Sequence, residues 1–218
     1  MKLYYAPTSP FARKVRVVLQ RLGMADRIEL ALTDPWTSEE LRRFNPIAKV
    51  PTLIGDNGNV LIESDVICDY LDTLASAEGR SQHRLIPHEG PARWAALRRQ
   101  AIADGLCAAA GRLYADEQRP EGERSFDVMH RQRQVIADAL GHLRRDASDL
   151  DPRLGDIGAI AVACALDYFG FRWPDSTGWR TAYASLAAWF DAAGTLPEMQ
   201  ATQYYQPETR VKTLRAGY

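Results

Sequence analysis

Tyr4-Tyr5-Ala6-Pro7-Thr8-Ser9-Pro10-Phe11-Ala12-Arg13-Lys14 is the stretch whose reading decides the fold, because within it a short apolar strand turns into a helix. Lys2 to Tyr5 reads as the end of the strand, and Pro7 breaks it. Ser9-Pro10 is a strong helix start: a serine oxygen caps free backbone N–H groups, and proline suits the first helical position. Phe11, Val15, Val18, Leu19 and Leu22 then recur at helical spacing as one apolar stripe, and Gly23 closes it. Arg13, Lys14, Arg16 and Arg21 fall largely off that stripe. Ser9 therefore stands at the positive end of a helix dipole, where an anion is favoured.

Outward from this turn, Ile28 to Leu32 forms a second strand that Pro35 interrupts. Thr37-Ser38-Glu39-Glu40 offers a capping box, Thr37 with Glu40, for a short helix ending near Phe44-Asn45-Pro46. Pro51 precedes an apolar strand and has no N–H for the ladder, so it belongs at that strand's first residue or at a sheet edge. Thr52 to Gly55 and Asn59 to Ile62 flank Asn57-Gly58, which makes them antiparallel neighbours of a hairpin. Glu63-Ser64-Asp65 starts a further helix, with Val66, Ile67, Tyr70, Leu71 and Leu74 at helical spacing. Taken alone, those acidic residues read as a cap favourable to the dipole.

Glu78 to Pro91 is rich in Gly, Ser, His, Arg and Pro and reads as a linker, with His83 and His88 solvated within it. Beyond Pro91 only helical patterns occur. One long helix runs to about Asp116, and a second, charged one from Ser125 to about Ala147 is expected to pack antiparallel to it. Ile157 to Tyr168 is apolar nearly all round, which predicts a buried central helix capped by Asp156. Thr181 to Ala193 forms another amphipathic helix, and a last short one begins at Gly194-Thr195-Leu196-Pro197. The pattern assigns no element to the tail from Gln203 to Tyr218.

The 218 residues and net charge of −1 give no general attraction to nucleic acid or to an anionic membrane surface. The N-terminus carries no charged-then-apolar leader, and the longest apolar run is too short to span a bilayer. A soluble, cytoplasmic protein is expected. Cys68, Cys107 and Cys164 stand far apart in the chain, each within a helical apolar pattern. They read as small buried hydrophobes rather than a disulfide framework or metal ligands.

The series strand, helix, strand, helix, hairpin, helix, ending near Ala77, resembles a thioredoxin-like domain. Redox members of that fold carry a Cys-Pro-Phe/Tyr-Cys pair at the first turn, where this chain has Ser9-Pro10-Phe11-Ala12, and a cis proline where it has Pro51. Without those sulfurs, dithiol chemistry by the chain itself is disfavoured. Followed by an all-helical domain, the whole resembles the cytosolic-type glutathione transferases, with a bacterial serine-type turn. The expected layout is an α/β thioredoxin-like domain at 1–77, a linker at 78–90 and an all-α domain at 91–218.

Three elements carry the resemblance: Ser9-Pro10-Phe11 with Arg13-Lys14, Asn45-Pro46 with Lys49-Val50-Pro51, and Glu63-Ser64 followed by Ile67, Tyr70 and Leu71. Asp156 to Tyr168, with Phe171-Arg172 and Pro174, is similar to the family's capped buried helix, except that Asp156 and Ala159 stand where the family has Ser or Thr and Asp. The resemblance implies glutathione as co-substrate, bound by Ser9, Phe11, Lys49, Val50, Pro51, Glu63 and Ser64, with no further cofactor and no metal. Glu63 and Ser64 would hold the γ-glutamyl end, and the Val50 backbone would pair with the peptide as an added strand.

Ser9 is the first candidate for activating the thiol, with Thr8 and Tyr5 as rivals. An apolar electrophile is expected between the domains, against Ala103, Cys107 and Ala110 of the long helix. The resemblance further implies a homodimer. A non-catalytic binding protein on the same architecture is the alternative reading.

Overall fold

The computed structural model describes residues 1–81, 83–176 and 178–207. Four strands, β1 (Lys2–Tyr5), β2 (Glu29–Leu32), β3 (Thr52–Ile54) and β4 (Val60–Ile62), form one sheet in the order β2-β1-β3-β4. β1 and β2 are parallel with Leu3 opposite Leu30, while β3 runs antiparallel to both β1 and β4. β1 has neighbours on both sides and is covered on both faces, which explains its unbroken apolar run. Leu3 and Tyr5 point into the core that holds α1 (Pro10–Arg21) and α3 (Ser64–Ala77). Tyr4, on the opposite face by strand alternation, stacks on Phe44 of α2 (Glu39–Phe44) with ring centroids 5.9 Å apart.

The cap of α2 lies one residue later than expected. Ser38, not Thr37, accepts the Leu41 N–H at 3.1 Å, while the Thr37 hydroxyl donates to Asp34. Glu40 has no capping role and instead accepts from the Tyr4 hydroxyl and from Lys2. The capping pattern missed this because the local pairing of Thr37 with the Asp34 turn satisfies its hydroxyl first.

The second half is helical: α4 (Gly90–Glu117), α5 (Phe126–Arg145), α6 (Ile157–Arg172), α7 (Gly178–Ala182), α8 (Ala184–Gly194) and α9 (Pro197–Gln200). Contacts of Arg98 with Asp146 and of Glu117 with Arg133 run in opposite senses along α4 and α5, so the two pack antiparallel. α6 is buried almost throughout, and its Asp156 cap accepts the Ala159 N–H at 2.8 Å. It lies close against α4 at Gly158, where a Cβ would sit 2.7 Å from the Ala96 carbonyl oxygen. The helix expected over 181–193 is broken at Tyr183, whose extended-side φ of −126° ends α7 while its hydroxyl reaches the Ala137 carbonyl. No helix among the described residues is long and apolar enough to cross a membrane.

The stretch between α3 and α4 is less free than its composition implies. His83 and His88 are exposed, but Leu85 and Ile86 are buried, and their N–H groups both donate to the buried Asp72 carboxylate at 2.8 and 3.1 Å. The Leu85 carbonyl then accepts the Ile157 N–H at the start of α6. One α3 carboxylate thereby pins the connection on the second half of the molecule. Of the tail, Tyr204 lies over the Arg13 guanidinium at 4.3 Å and donates to the Cys164 carbonyl. Residues 208–218 lie outside the described residues.

Candidate functional site

Ser9 has extended backbone geometry, φ −92° and ψ 119°, and its Oγ accepts the Ala12 N–H at 3.2 Å. Pro10 occupies the first turn of α1, so the helix begins abruptly at this residue. The cap uses the hydroxyl oxygen only as an acceptor. Its proton remains available to donate to an anion at the helix end. Thr8 and Ser9 are both half-buried, and the Thr8 carbonyl accepts from the Arg172 guanidinium at 3.3 Å. Tyr5 points elsewhere: its ring lies against Arg16, two turns into α1, and its hydroxyl sits 3.4 Å from that of Tyr205. Burial, together with that neighbouring hydroxyl, pushes the Tyr5 phenol above its ordinary pKa.

Asn45 shapes the second part of the site. Its buried amide donates to the Lys49 carbonyl at 3.0 Å and to the Thr52 hydroxyl at 2.8 Å, while its Oδ1 accepts from Ile47 N–H. The loop so tied leads into a cis Val50-Pro51 bond. Lys49 is exposed and Val50 half-buried, and the backbone N–H and C=O of Val50 have no partner among the described residues. They are open to an extended peptide.

The third part is the start of α3. Glu63 is exposed with φ 68°, a left-handed conformation costly for a side chain other than glycine. Ser64 is buried, and its hydroxyl lies 3.3 Å from Asp65 Oδ1. That same oxygen accepts from Lys14 Nζ at 2.6 Å and Gln100 Nε2 at 2.7 Å, and Lys14 also contacts Asp104 at 2.6 Å. Lys14, off the apolar stripe of α1, is 1% exposed, and Arg13 beside it is likewise buried against Asp167, Thr202 and the Met199 carbonyl. Helical periodicity could not reveal this, because α1 is covered on a second side by α4, α6 and the tail.

The cluster carries two carboxyls for one ammonium. Burial, reinforced by the neighbouring Asp65 and opposed by Lys14, pushes Asp104 up to about 7. Burial disfavours the Lys14 charge, but the Asp104 and Asp65 carboxylates outweigh it and hold its pKa above the ordinary lysine value. Burial likewise works against the Asp65 anion, and Lys14 reverses this and keeps it below the usual range. The three cysteines, far apart in sequence, gather around this cluster, with Cys164 within electrostatic range of both Cys68 and Cys107. Burial pushes Cys68 up to about 12 and Cys164 up to about 11, so they stay protonated and inert.

Ala103, Cys107 and Ala110 do not line a cleft. They are 0%, 4% and 0% exposed within the core, small because α4 and its neighbours close tightly there. The second-half residues that reach the Ser9 turn are instead at the end of α6. Arg172 lies over the rings of Tyr114, Phe171 and Tyr168 at 4.4, 4.8 and 5.0 Å and touches Thr8. In the sequence Arg172 stands only at the end of a motif, since its position opposite Thr8 depends on how the two halves dock.

A mixed four-stranded sheet with this helix arrangement, a cis proline and an all-helical second half defines the glutathione transferase architecture. Residues 8–74 match the family model for the glutathione S-transferase N-terminal domain. A glutathione transferase family member from Pseudomonas fluorescens Pf-5, solved with bound glutathione, is 36% identical with a TM-score of 0.85, covering 94% of this chain and 99% of that one. One from Methylobacillus flagellatus KT, also with glutathione bound, is 30% identical with a TM-score of 0.82, covering 94% and 99%. The uncharacterized GST-like protein YibF of Escherichia coli K12 is 29% identical over 79% of this chain and 83% of its own. The chain belongs to the glutathione transferase family.

Proposed function

We propose that the chain binds glutathione across the Ser9, Val50-Pro51 and Glu63-Ser64 segments and activates its thiol for attack on an electrophile. The observation that carries this reading is Ser9, a half-buried helix cap whose hydroxyl proton is unused, on a fold shared with relatives that hold glutathione. In this reading the γ-glutamyl carboxylate lies at the α3 N-terminus with Ser64, and Glu63 complements the ammonium. Val50 pairs its backbone with the cysteinyl unit, while Phe11 and Lys49 flank the tripeptide.

A free thiol of pKa about 8.5 is only a few per cent ionised at neutral pH, and lowering it by about two pH units needs about 2.7 kcal/mol. A hydrogen bond to a charged group supplies roughly 1.5–3 kcal/mol and a helix N-terminus roughly 0.3–1 kcal/mol. One hydroxyl and one helix suffice. The functional division falls at 1–77 and 91–218, with the second substrate admitted between them. The protein acts in the cytoplasm.

Calorimetric titration with glutathione tests the binding half. Glu63→Ala and Ser64→Ala are each expected to raise the dissociation constant roughly tenfold, from the loss of a charge-assisted hydrogen bond. Unchanged constants in both variants would remove the γ-glutamyl assignment.

The chain also pairs as a two-fold dimer in this reading, supported by the exposed Ile47, Val60, Val66, Trp94 and Phe126 side chains. Sedimentation equilibrium is expected to give twice the chain mass. A single-chain mass at micromolar concentration would refute the dimer without touching the site.

A further inference from the structure

Arg172 is a cation without a counter-ion among the described residues. Among the described residues it forms no ion pair: one Nη donates to the Thr8 carbonyl, the ring faces of Tyr114, Phe171 and Tyr168 surround it, and its Nε is buried without a hydrogen-bond partner. Its place in the last turn of α6 suits the helix dipole, but that accounts for neither the orphaned Nε nor the contact with Thr8. Two other buried cations, on α1, are treated differently, since Arg13 has Asp167 and Lys14 has Asp65 and Asp104. A half-buried guanidinium held by aromatic rings and lacking a carboxylate is arranged to receive one, because the planar fork matches a carboxylate in two-point contact. Thr8 is the residue beside Ser9, so the receptor stands next to where the thiol sulfur would be.

We infer that the second substrate is an electrophile bearing a carboxylate, and that Arg172 is the residue that receives this carboxylate. This rests on the glutathione reading and replaces the purely apolar substrate expected from Ala103, Cys107 and Ala110. For a chloromethyl arene carrying a carboxylate, the thiolate sulfur forms the S–C bond at the benzylic carbon while the C–Cl bond breaks. Chloride leaves with the bonding pair, and no oxidation occurs.

The test uses two closely matched electrophiles, 4-(chloromethyl)benzoate and 4-(chloromethyl)benzamide, and the stable conjugates S-(4-carboxybenzyl)glutathione and S-benzylglutathione. The natural chain is expected to turn over the benzoate with a kcat/KM roughly tenfold or more above the benzamide, and to bind the carboxybenzyl conjugate tighter than the benzyl one by a similar factor. Arg172→Gln should erase both preferences and leave the affinity for free glutathione unchanged. Arg172→Lys should retain part of them, since the charge stays and the two-point geometry is lost.

Equal treatment of the charged and neutral members by the natural chain would overturn the inference, whatever the variants do. So would an Arg172→Gln variant that weakens glutathione and both conjugates alike, because the guanidinium would then serve the tripeptide or the fold. Failure of the natural chain to bind glutathione at all would instead overturn the function on which the inference rests. The conjugate titration needs no turnover, so a slow reaction leaves the test intact.

Discussion

Thiolate absorbance of bound glutathione is expected to titrate about one to two pH units higher in Ser9→Ala than in the natural chain, a change of about 1.4–2.7 kcal/mol in the preference for the anion. The Ser9 oxygen already accepts the Ala12 N–H, so the donor it offers to a sulfur is its own proton, and alanine removes that donor while Pro10 still starts the helix. The helix end alone retains a smaller effect. At neutral pH the rate with any electrophile should therefore fall roughly tenfold or more, while the affinity for glutathione changes little because most contacts lie on other segments. Tyr5→Phe should leave the curve where it is, since that hydroxyl faces Tyr205. Thr8→Ala is the sharper control, being adjacent. Coincident curves for the natural chain and Ser9→Ala would end the role of Ser9, and a displacement confined to Thr8→Ala would transfer it.

The largest expected effect on stability is that of Lys14→Met, a loss of about 3–5 kcal/mol at pH 8, because the change leaves the half-buried Asp104 carboxyl without its buried cation. The loss should shrink at pH 5. Asp104 holds its proton in the folded chain up to about 7, well above the ordinary carboxylate range, chiefly through burial. The stability contributed by that proton is full below the unfolded value, and it declines as pH rises through about 7. Asp65, held below its ordinary value, loses its contribution only in stronger acid, and Lys14, held above its own, only in stronger alkali, so neither enters this window. Urea unfolding of the natural chain and of Asp104→Asn from pH 5 to 8 separates these terms. The natural chain should lose stability relative to the asparagine variant across that range. Parallel curves would show that Asp104 does not titrate there, and an unaffected Lys14→Met would show that the cluster carries no net weight.

Local chemistry determined much of this molecule from its sequence. The Ser9-Pro10 start, the Asn57-Gly58 hairpin, the Asp156 cap and the apolar periods of α1, α3, α4 and α6 are each decided by groups within a few residues of one another. A linear reading therefore places them correctly. The family followed from the order of those elements, since their sequence along the chain is itself linear information. The cap of α2 escaped only by one residue, because two adjacent hydroxyls competed for neighbouring partners.

What the sequence left undecided depends on partners more than a hundred residues away or on a second face of a helix. Lys14 and Arg13 look solvent-facing on a single amphipathic wheel, yet α1 is wedged between the sheet and the second half, and each charge is satisfied there by a distant carboxylate. Ala103, Cys107 and Ala110 look like a cleft lining because small side chains suit both an open wall and a close helix contact, and only packing distinguishes the two. Arg172 meets Thr8 across 164 positions of sequence. The site beside the thiol is thus set by the docking of two halves, whose geometry arises from the summed burial of many side chains and is written in no one stretch of the chain.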